Sequence, residues 1–266
     1  MNREEKVKYL LNLDRYTVDD LALIVEVLRG EGGCPWDMEQ THKSIRNDFI
    51  EETYEVIEAI DTENAELLQE ELGDVMLQVV FHAQIEREKG IFALEDVSNE
   101  ICKKLIHRHP HVFGNVKVDS TEQVLSNWDK IKNDEKSRES VTDRLKAVPP
   151  MLPALMRATK VGKRASCFDF SDVEEVIAKL YEEIDEVKEA VASGDINAID
   201  EEIGDILLTV TSLARKVGVD SEASLNCATT KFIERFEKVE NQVLLEGKDI
   251  KSISMPELNK IWEKIK

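Results

Sequence analysis

In the stretch ELGDVMLQVVFHA (71–83), the apolar residues Leu72, Val75, Met76, Val79 and Ala83 recur three and four positions apart, the spacing of one helix face. Glu71, Asp74 and Gln78 fall on an adjoining stripe. The same periodicity governs most of the chain, and the strict alternation that marks a strand is scarce. The polar break DTENA (61–65) separates this helix from an earlier one bearing Glu51, Glu52 and Glu55. In the second half SGDINA (193–198) makes the corresponding break, with Gly194 suited to a helix C-terminus. Short connections of this kind favour antiparallel helix neighbours. The expected fold is all-α, with two similar helical bundles.

The two bundles follow from an internal repeat. EETYEVIEAIDTENAELLQEELGD (51–74) and EEIDEVKEAVASGDINAIDEEIGD (182–205) align without a gap at an offset of 131 and agree at ten positions. Among these are the acids at 51/182, 52/183, 55/186, 70/201, 71/202 and 74/205. Downstream, Lys104 and Arg108 in KLIHR match Lys231 and Arg235 in KFIER, and Trp128 in WDKIK matches Trp262 in WEKIK. A period of about 130 residues is domain-sized and points to duplication of a whole unit, not to a solenoid. The prolines Pro149, Pro150 and Pro153, preceded by the charged run NDEKSRESVTDR, mark the connection. The expected organisation is a first domain over 1–135, a connection over 136–165 and a second domain over 166–266.

Within each copy Glu52 and Glu55, or Glu183 and Glu186, lie three apart on one helix face, as do Glu71 and Asp74, or Glu202 and Asp205. Antiparallel pairing of the two helices brings four carboxylates together. No Lys or Arg occurs between Glu51 and Asp74 to offset their repulsion. A divalent cation converts that repulsion into binding, and all-oxygen ligands suit Mg²⁺, with Mn²⁺ as a substitute. A di-iron bundle expects Glu-x-x-His pairs, and here the third position after each Glu is another acid. Gly73 and Gly204, mid-helix beside the acids, each cost about 1 kcal/mol relative to Ala. Their expected role is to admit a neighbouring helix or a ligand at close range.

The basic pairs Lys104/Arg108 and Lys231/Arg235 are four apart, hence on one helix face, and suit phosphate. Trp128 and Trp262 suit stacking on a base. Lys179 precedes Glu182 by three residues, whereas the equivalent position in the first copy is Asp48, so the second copy is the better phosphate site. The histidines of HRHPH (107–111) fit no closed zinc site, and Pro110 makes them a helix terminus.

Composition narrows the function classes. A net charge of −20 and a pI near 4.7 disfavour nucleic acid and membrane surfaces as partners. The same field obliges an anionic substrate to arrive with cations. Cys34, Cys102, Cys167 and Cys227 are scattered, as in a reduced compartment, and the N-terminus has no signal-peptide pattern. No apolar run reaches the length of a membrane span. The expectation is a soluble cytoplasmic protein.

Three long motifs, GGCPWDMEQTHKSIRNDFIEETYEVIEAI, EELGDVMLQVVFHAQ and RHPHVFG, resemble the first domain of the MazG family. LPALMRATKVGKRASCFDF, EEIDEV, EEIGDILL and KFIERF resemble its second domain, so the resemblance covers nearly the whole chain. It implies an all-α homodimer that hydrolyses nucleoside triphosphates with Mg²⁺ to the monophosphate and pyrophosphate. By position, Glu183, Glu186, Glu202 and Asp205 hold the metal, Lys179, Lys231 and Arg235 contact phosphates, and Trp262 lies against the nucleotide. In the first copy the metal set is Glu52, Glu55, Glu71 and Asp74, with Lys104, Arg108 and Trp128 behind it. Glu182 is the candidate to orient or deprotonate the attacking water. The second domain is the one generally credited with hydrolysis, and whether the first is active stays open. CFDF (167–170) departs from the family's Gly-Phe-Asp-Trp, which bears on the packing of the segment leading into that domain. Two other classes compete: a metal-dependent nucleotide-binding regulatory module with little turnover, and an acidic helical scaffold that binds neither.

Overall fold

The structure is a computed structural model that describes residues 1–135 and 140–265, the side chain of Asn133 excepted; part of the expected connection, residues 136–139, lies outside them. It divides into two compact units, Met1–Asp129 and Lys130–Lys266, and among the described residues no strand occurs.

The first unit is built from α1 (Arg3–Leu11), α2 (Val18–Arg29), the short α3 (Pro35–Glu39), α4 (Arg46–Asp61), α5 (Ala65–Glu88), α6 (Leu94–Arg108) and the single turn α7 (Pro110–Phe113). The helix α8 (Thr121–Glu135) crosses the division. Three of the starts have a local cause. Asn2 and Thr17 close capping boxes with Glu5 and Asp20, and the Asn64 side chain accepts the Leu67 N–H to open α5. The break read at DTENA is this loop, and α4 and α5 pair across it as a hairpin.

Helix α5 is the spine of the unit. Its Val80, Phe81 and Ile85 pack with Val25 of α2 and Ile45 before α4 into the buried core, with Leu21, Ala22, Leu77 and Leu94 around them. The Arg29 guanidinium stacks 5.1 Å from the Phe81 ring centroid and donates two 2.8 Å bonds to Glu88. The buried stripe of α5 is thus rotated from the one read in the sequence. Ala83 is buried as expected, but Leu72 and Met76 are 49% and 41% exposed. The core selects the C-terminal half of α5, where α2 covers it, and leaves the apolar residues beside the acids open.

The second unit contains α9 (Val141–Lys146), α10 (Ala154–Arg164), α11 (Val173–Ser193), α12 (Ile196–Lys216), α13 (Ser221–Leu245) and α14 (Met255–Ile265). Helix α10, within the segment read as a connection, packs on α12 and on the start of α13. Helices α11 and α12 repeat the hairpin of α4 and α5. A separate core joins α13 to α14 through Val239, Val243 and Ile261.

Gly194 ends α11 in the left-handed region, at φ 72°, and Asp195 caps α12 directly after it. This turn holds the two carboxylate-bearing helices in register. A Cβ disfavours that conformation by about 1–2 kcal/mol, so Gly194→Ala is expected to destabilise the second unit by that amount. Urea unfolding followed by circular dichroism measures it.

Candidate functional site

The repeat places equivalent carboxylates in equivalent positions. In the first unit, α4 supplies Glu52 and Glu55 and α5 supplies Glu71, with one oxygen of each within 4.8 Å of the others. In the second unit, α11 supplies Glu183 and Glu186 and α12 supplies Glu202, again with oxygens within 4.8 Å of one another. Asp74 and Asp205, read as the fourth member of each set, lie outside these clusters but close enough to raise the pKa values of Glu52 and Glu202.

The carboxylates are strained by their own company. Glu71 is buried, and burial first and Glu55 second push its pKa up. Glu52 is raised by burial, then by Asp74 and Glu55. In the second unit Glu183 is buried, and the pKa values of Glu186 and Glu202 are raised chiefly by burial. Lys179 opposes that rise at both. Its Nζ stands 2.6 Å from Glu182, 3.0 Å from Glu183 and 3.9 Å from Glu186. These carboxylates in turn raise the lysine's pKa.

Three converging carboxylate oxygens fit a hard divalent cation. With metal–oxygen distances of about 2.1 Å, Mg²⁺ spans oxygens up to about 4.2 Å apart, a span within reach of both clusters. The donor set is all oxygen, which does not select for zinc or a redox metal.

The phosphate and base candidates are assembled differently. Lys231 and Arg235 lie on α13, and the ring of Phe232 between them packs at a tilt of 44° on the ring of Trp262 on α14, centroids 5.4 Å apart. Trp262 is partly buried against the core that joins α13 to α14. In the first unit Lys104 and Arg108 end α6, and Trp128 packs 5.8 Å from His109, the residue that terminates that helix. Each unit therefore carries its Trp against a residue of the basic helix or of its terminus. Among the described residues, no ion pair joins Lys231, Arg235 or Lys104 to a carboxylate cluster. Glu182 lies at the margin of its cluster, with a side chain 59% exposed. The histidine run forms the helix terminus read in the sequence, His109 donating from Nδ1 to the Leu105 carbonyl at 2.6 Å.

The reading of Gly73 and Gly204 as points of close helix approach needs correction. A Cβ at either position would meet no atom of the chain within 4 Å. The space beside the acids is open, so within the chain only the ligand half of that reading survives.

Sequence reasoning missed a clamp on the CFDF segment. Arg215, at the end of α12, donates two 2.6 Å bonds to Asp169, and Lys216 joins the same carboxylate at 3.3 Å and the Phe170 carbonyl. Forty-six residues separate Asp169 from Arg215, and neither belongs to the repeat. The only available signal was Asp169 itself, in an otherwise apolar stretch.

An all-α chain with duplicated carboxylate hairpins is thereby defined, and comparison with known proteins says which kind. The profile of the MazG nucleotide pyrophosphohydrolase domain matches twice, over residues 40–113 and 159–240, and the chain belongs to the MazG family. It is 44% identical over 250 residues to the nucleoside triphosphate pyrophosphohydrolase/pyrophosphatase MazG of Thermotoga maritima, covering 93% of this chain and 95% of that one. It is 40% identical over 256 residues to the nucleoside triphosphate pyrophosphohydrolase of Escherichia coli K12, covering 94% and 97%. It also matches YabN of Bacillus subtilis, an uncharacterised protein, at 40% over 270 residues; the match takes in 99% of this chain but 53% of YabN.

Proposed function

We propose that this protein hydrolyses ribo- and deoxyribonucleoside triphosphates to the monophosphate and pyrophosphate, with Mg²⁺, chiefly in its second unit. The observation that carries the reading is the cluster of Glu183, Glu186 and Glu202 with Lys179 beside it. It joins a cation-binding carboxylate set to a flexible ammonium, the two charges a triphosphate needs. Family membership and the names of the similar enzymes support the reaction class.

Roles follow from placement. Glu183, Glu186, Glu202 and Asp205 would hold Mg²⁺ in the second unit, and Glu52, Glu55, Glu71 and Asp74 in the first. When bound, the ion neutralises phosphate charge and acidifies water. Glu182, exposed at the rim, has room to orient the water that attacks phosphorus and to accept its proton. Lys179, Lys231 and Arg235 stabilise charge on the phosphoryl oxygens. Trp262, packed on Phe232, would lie against the nucleotide. The equivalent set in the first unit is Lys104, Arg108 and Trp128, and the position equivalent to Lys179 there is Asp48.

We also read the working protein as a homodimer. Both units leave apolar helix faces uncovered: Leu72 and Met76 in the first, and Ile203, Leu207, Phe232 and Ile233 in the second, are 41–61% exposed. Large apolar side chains left open on helix faces suit an interface. Basic residues brought from a partner copy would add to the cations around the carboxylates. No helix among the described residues is long and apolar enough to cross a membrane, and we propose a cytoplasmic site of action.

The test is product identity. Incubation with Mg²⁺ and a panel of triphosphates, resolved by ion exchange, is expected to yield monophosphate and pyrophosphate, abolished by EDTA. Diphosphate and orthophosphate would mean that a different bond is cut. Metal-dependent binding without hydrolysis would favour the regulatory module.

A further inference from the structure

The two carboxylate clusters differ in one respect that their shared ancestry does not predict. On α11, Lys179, Glu182, Glu183 and Glu186 lie at relative positions 0, 3, 4 and 7, so all four side chains share one face. The Lys179 ammonium bridges Glu182 and Glu183 and stands 3.9 Å from Glu186, and its side chain is 34% exposed. Two of its three partners, Glu183 and Glu186, belong to the triad of converging oxygens. The cluster is thus already supplied with a cation by its own helix. In the first unit the equivalent residue is Asp48, and among the described residues no Lys or Arg pairs with Glu52, Glu55 or Glu71. Among the described residues, the charges that shift Glu52 and Glu71 are those of further acids.

A tethered ammonium competes with any free cation for the same oxygens. It is present at the effective concentration of an intramolecular ligand, in the millimolar range, and its flexible four-carbon stem lets it leave when offered better partners. A triphosphate offers them: its oxygens can receive the displaced ammonium while the carboxylates receive the metal. Cation and triphosphate then each remove an obstacle to the other, and such coupling is reciprocal, typically 5–150-fold.

Building on the functional reading above, we propose that Lys179 is the resident counter-ion of the second site, making divalent-cation binding there dependent on the triphosphate, whereas the first site, with Asp48 in its place, takes the cation alone. The second unit is thereby protected from holding metal idly, and the first is filled whenever the metal is present.

The experiment is Mn²⁺ binding to the full-length protein, read from the electron paramagnetic resonance signal of free Mn²⁺, with and without a triphosphate analogue carrying a methylene bridge between the α and β phosphorus atoms. Wild type is expected to show a tight class of site insensitive to the analogue and a weak class tightened at least fivefold by it. Lys179→Met is expected to tighten the weak class about tenfold without analogue and to abolish most of the analogue's effect. Asp48→Lys is expected to weaken the tight class and render it analogue-dependent; this second variant keeps the test intact if the first folds poorly. Two equal classes in wild type, or a Lys179→Met protein whose weak class is unchanged, would overturn the proposal. Glu55→Ala and Glu186→Ala assign the classes to their units. If neither variant removes bound Mn²⁺, the metal-site reading itself fails, an outcome distinct from unchanged binding in Lys179→Met alone.

Discussion

Glu186→Ala is expected to reduce triphosphate hydrolysis by about 10²- to 10³-fold, the scale of losing one preorganised electrostatic partner of the reaction. Glu55→Ala is expected to leave most of the activity in place. Glu186 is one of three carboxylates whose oxygens lie within 4.8 Å of one another, and desolvation and Glu183 raise its pKa while Lys179 opposes the rise. Removing Glu186 would leave Glu183, Glu202 and Asp205 to hold the metal, with one converging oxygen fewer. The first unit retains its own cluster but has Asp48 where the second has Lys179, so on the proposed roles its loss should cost little. Steady-state rates on a single triphosphate, with bound Mn²⁺ measured in parallel, separate the cases. Glu182→Gln provides the contrast, lowering turnover about 10²-fold with metal affinity nearly intact. Equal losses from Glu55→Ala and Glu186→Ala would make both units active. Loss from Glu55→Ala alone would move the working site to the first.

How much of this was legible in the sequence depends on whether a feature repeats. Glu52, Glu55 and Glu71 were readable because helix spacing puts the first two on one face and a short polar break returns the chain past them. The copy at 183, 186 and 202 removed the chance explanation. The caps Asn64 and Asp195, and the left-handed Gly194, were equally local and equally readable. What stayed hidden was set by packing between segments that share no pattern. Leu72 and Met76 sit on the same stripe as Ala83, and only the position of α2 decides that Ala83 is buried and they are not. Gly73 and Gly204 looked like contact points because glycine is costly in a helix, yet the chain brings nothing to them. The lysine at 179 was noticed as a phosphate ligand, but that it spans Glu182 and Glu183 without any ligand follows from rotamers, on which spacing is silent. Trp262 was placed with the nucleotide from its motif, while its packing on Phe232 depends on how α14 folds back on α13, which spacing does not set.

Asp169→Ala is expected to destabilise the second unit by about 3–5 kcal/mol, the cost of stranding a buried charge, against a total folding stability of about 5–15 kcal/mol. Arg215 and Asp169 are 18% and 15% exposed, and the guanidinium grips both carboxylate oxygens. Without Asp169 the guanidinium loses both bonds, and its Nε already has no partner. Lys216 loses its counter-charge too, and the chain leading into α11 is released from the end of α12. The clamp lies thirteen residues beyond Glu202, about 20 Å along the helix. Variants that remain folded should therefore keep their metal affinity, which separates a loss of stability from a loss of site. The pH dependence has a definite sign. Arg215 first, and Lys216 after it, hold the Asp169 carboxyl far below its ordinary value against the opposing effect of burial. A depressed folded-state pKa stabilises the fold fully above the unfolded aspartate value of about 3.9. That contribution is lost as pH falls from there towards the folded value, where both states are protonated. Urea midpoints measured from pH 7 to pH 2 should fall steeply below pH 4 in the wild type and less steeply in Asp169→Asn. Coincident slopes for the two proteins would show that the bidentate pair contributes nothing to acid stability.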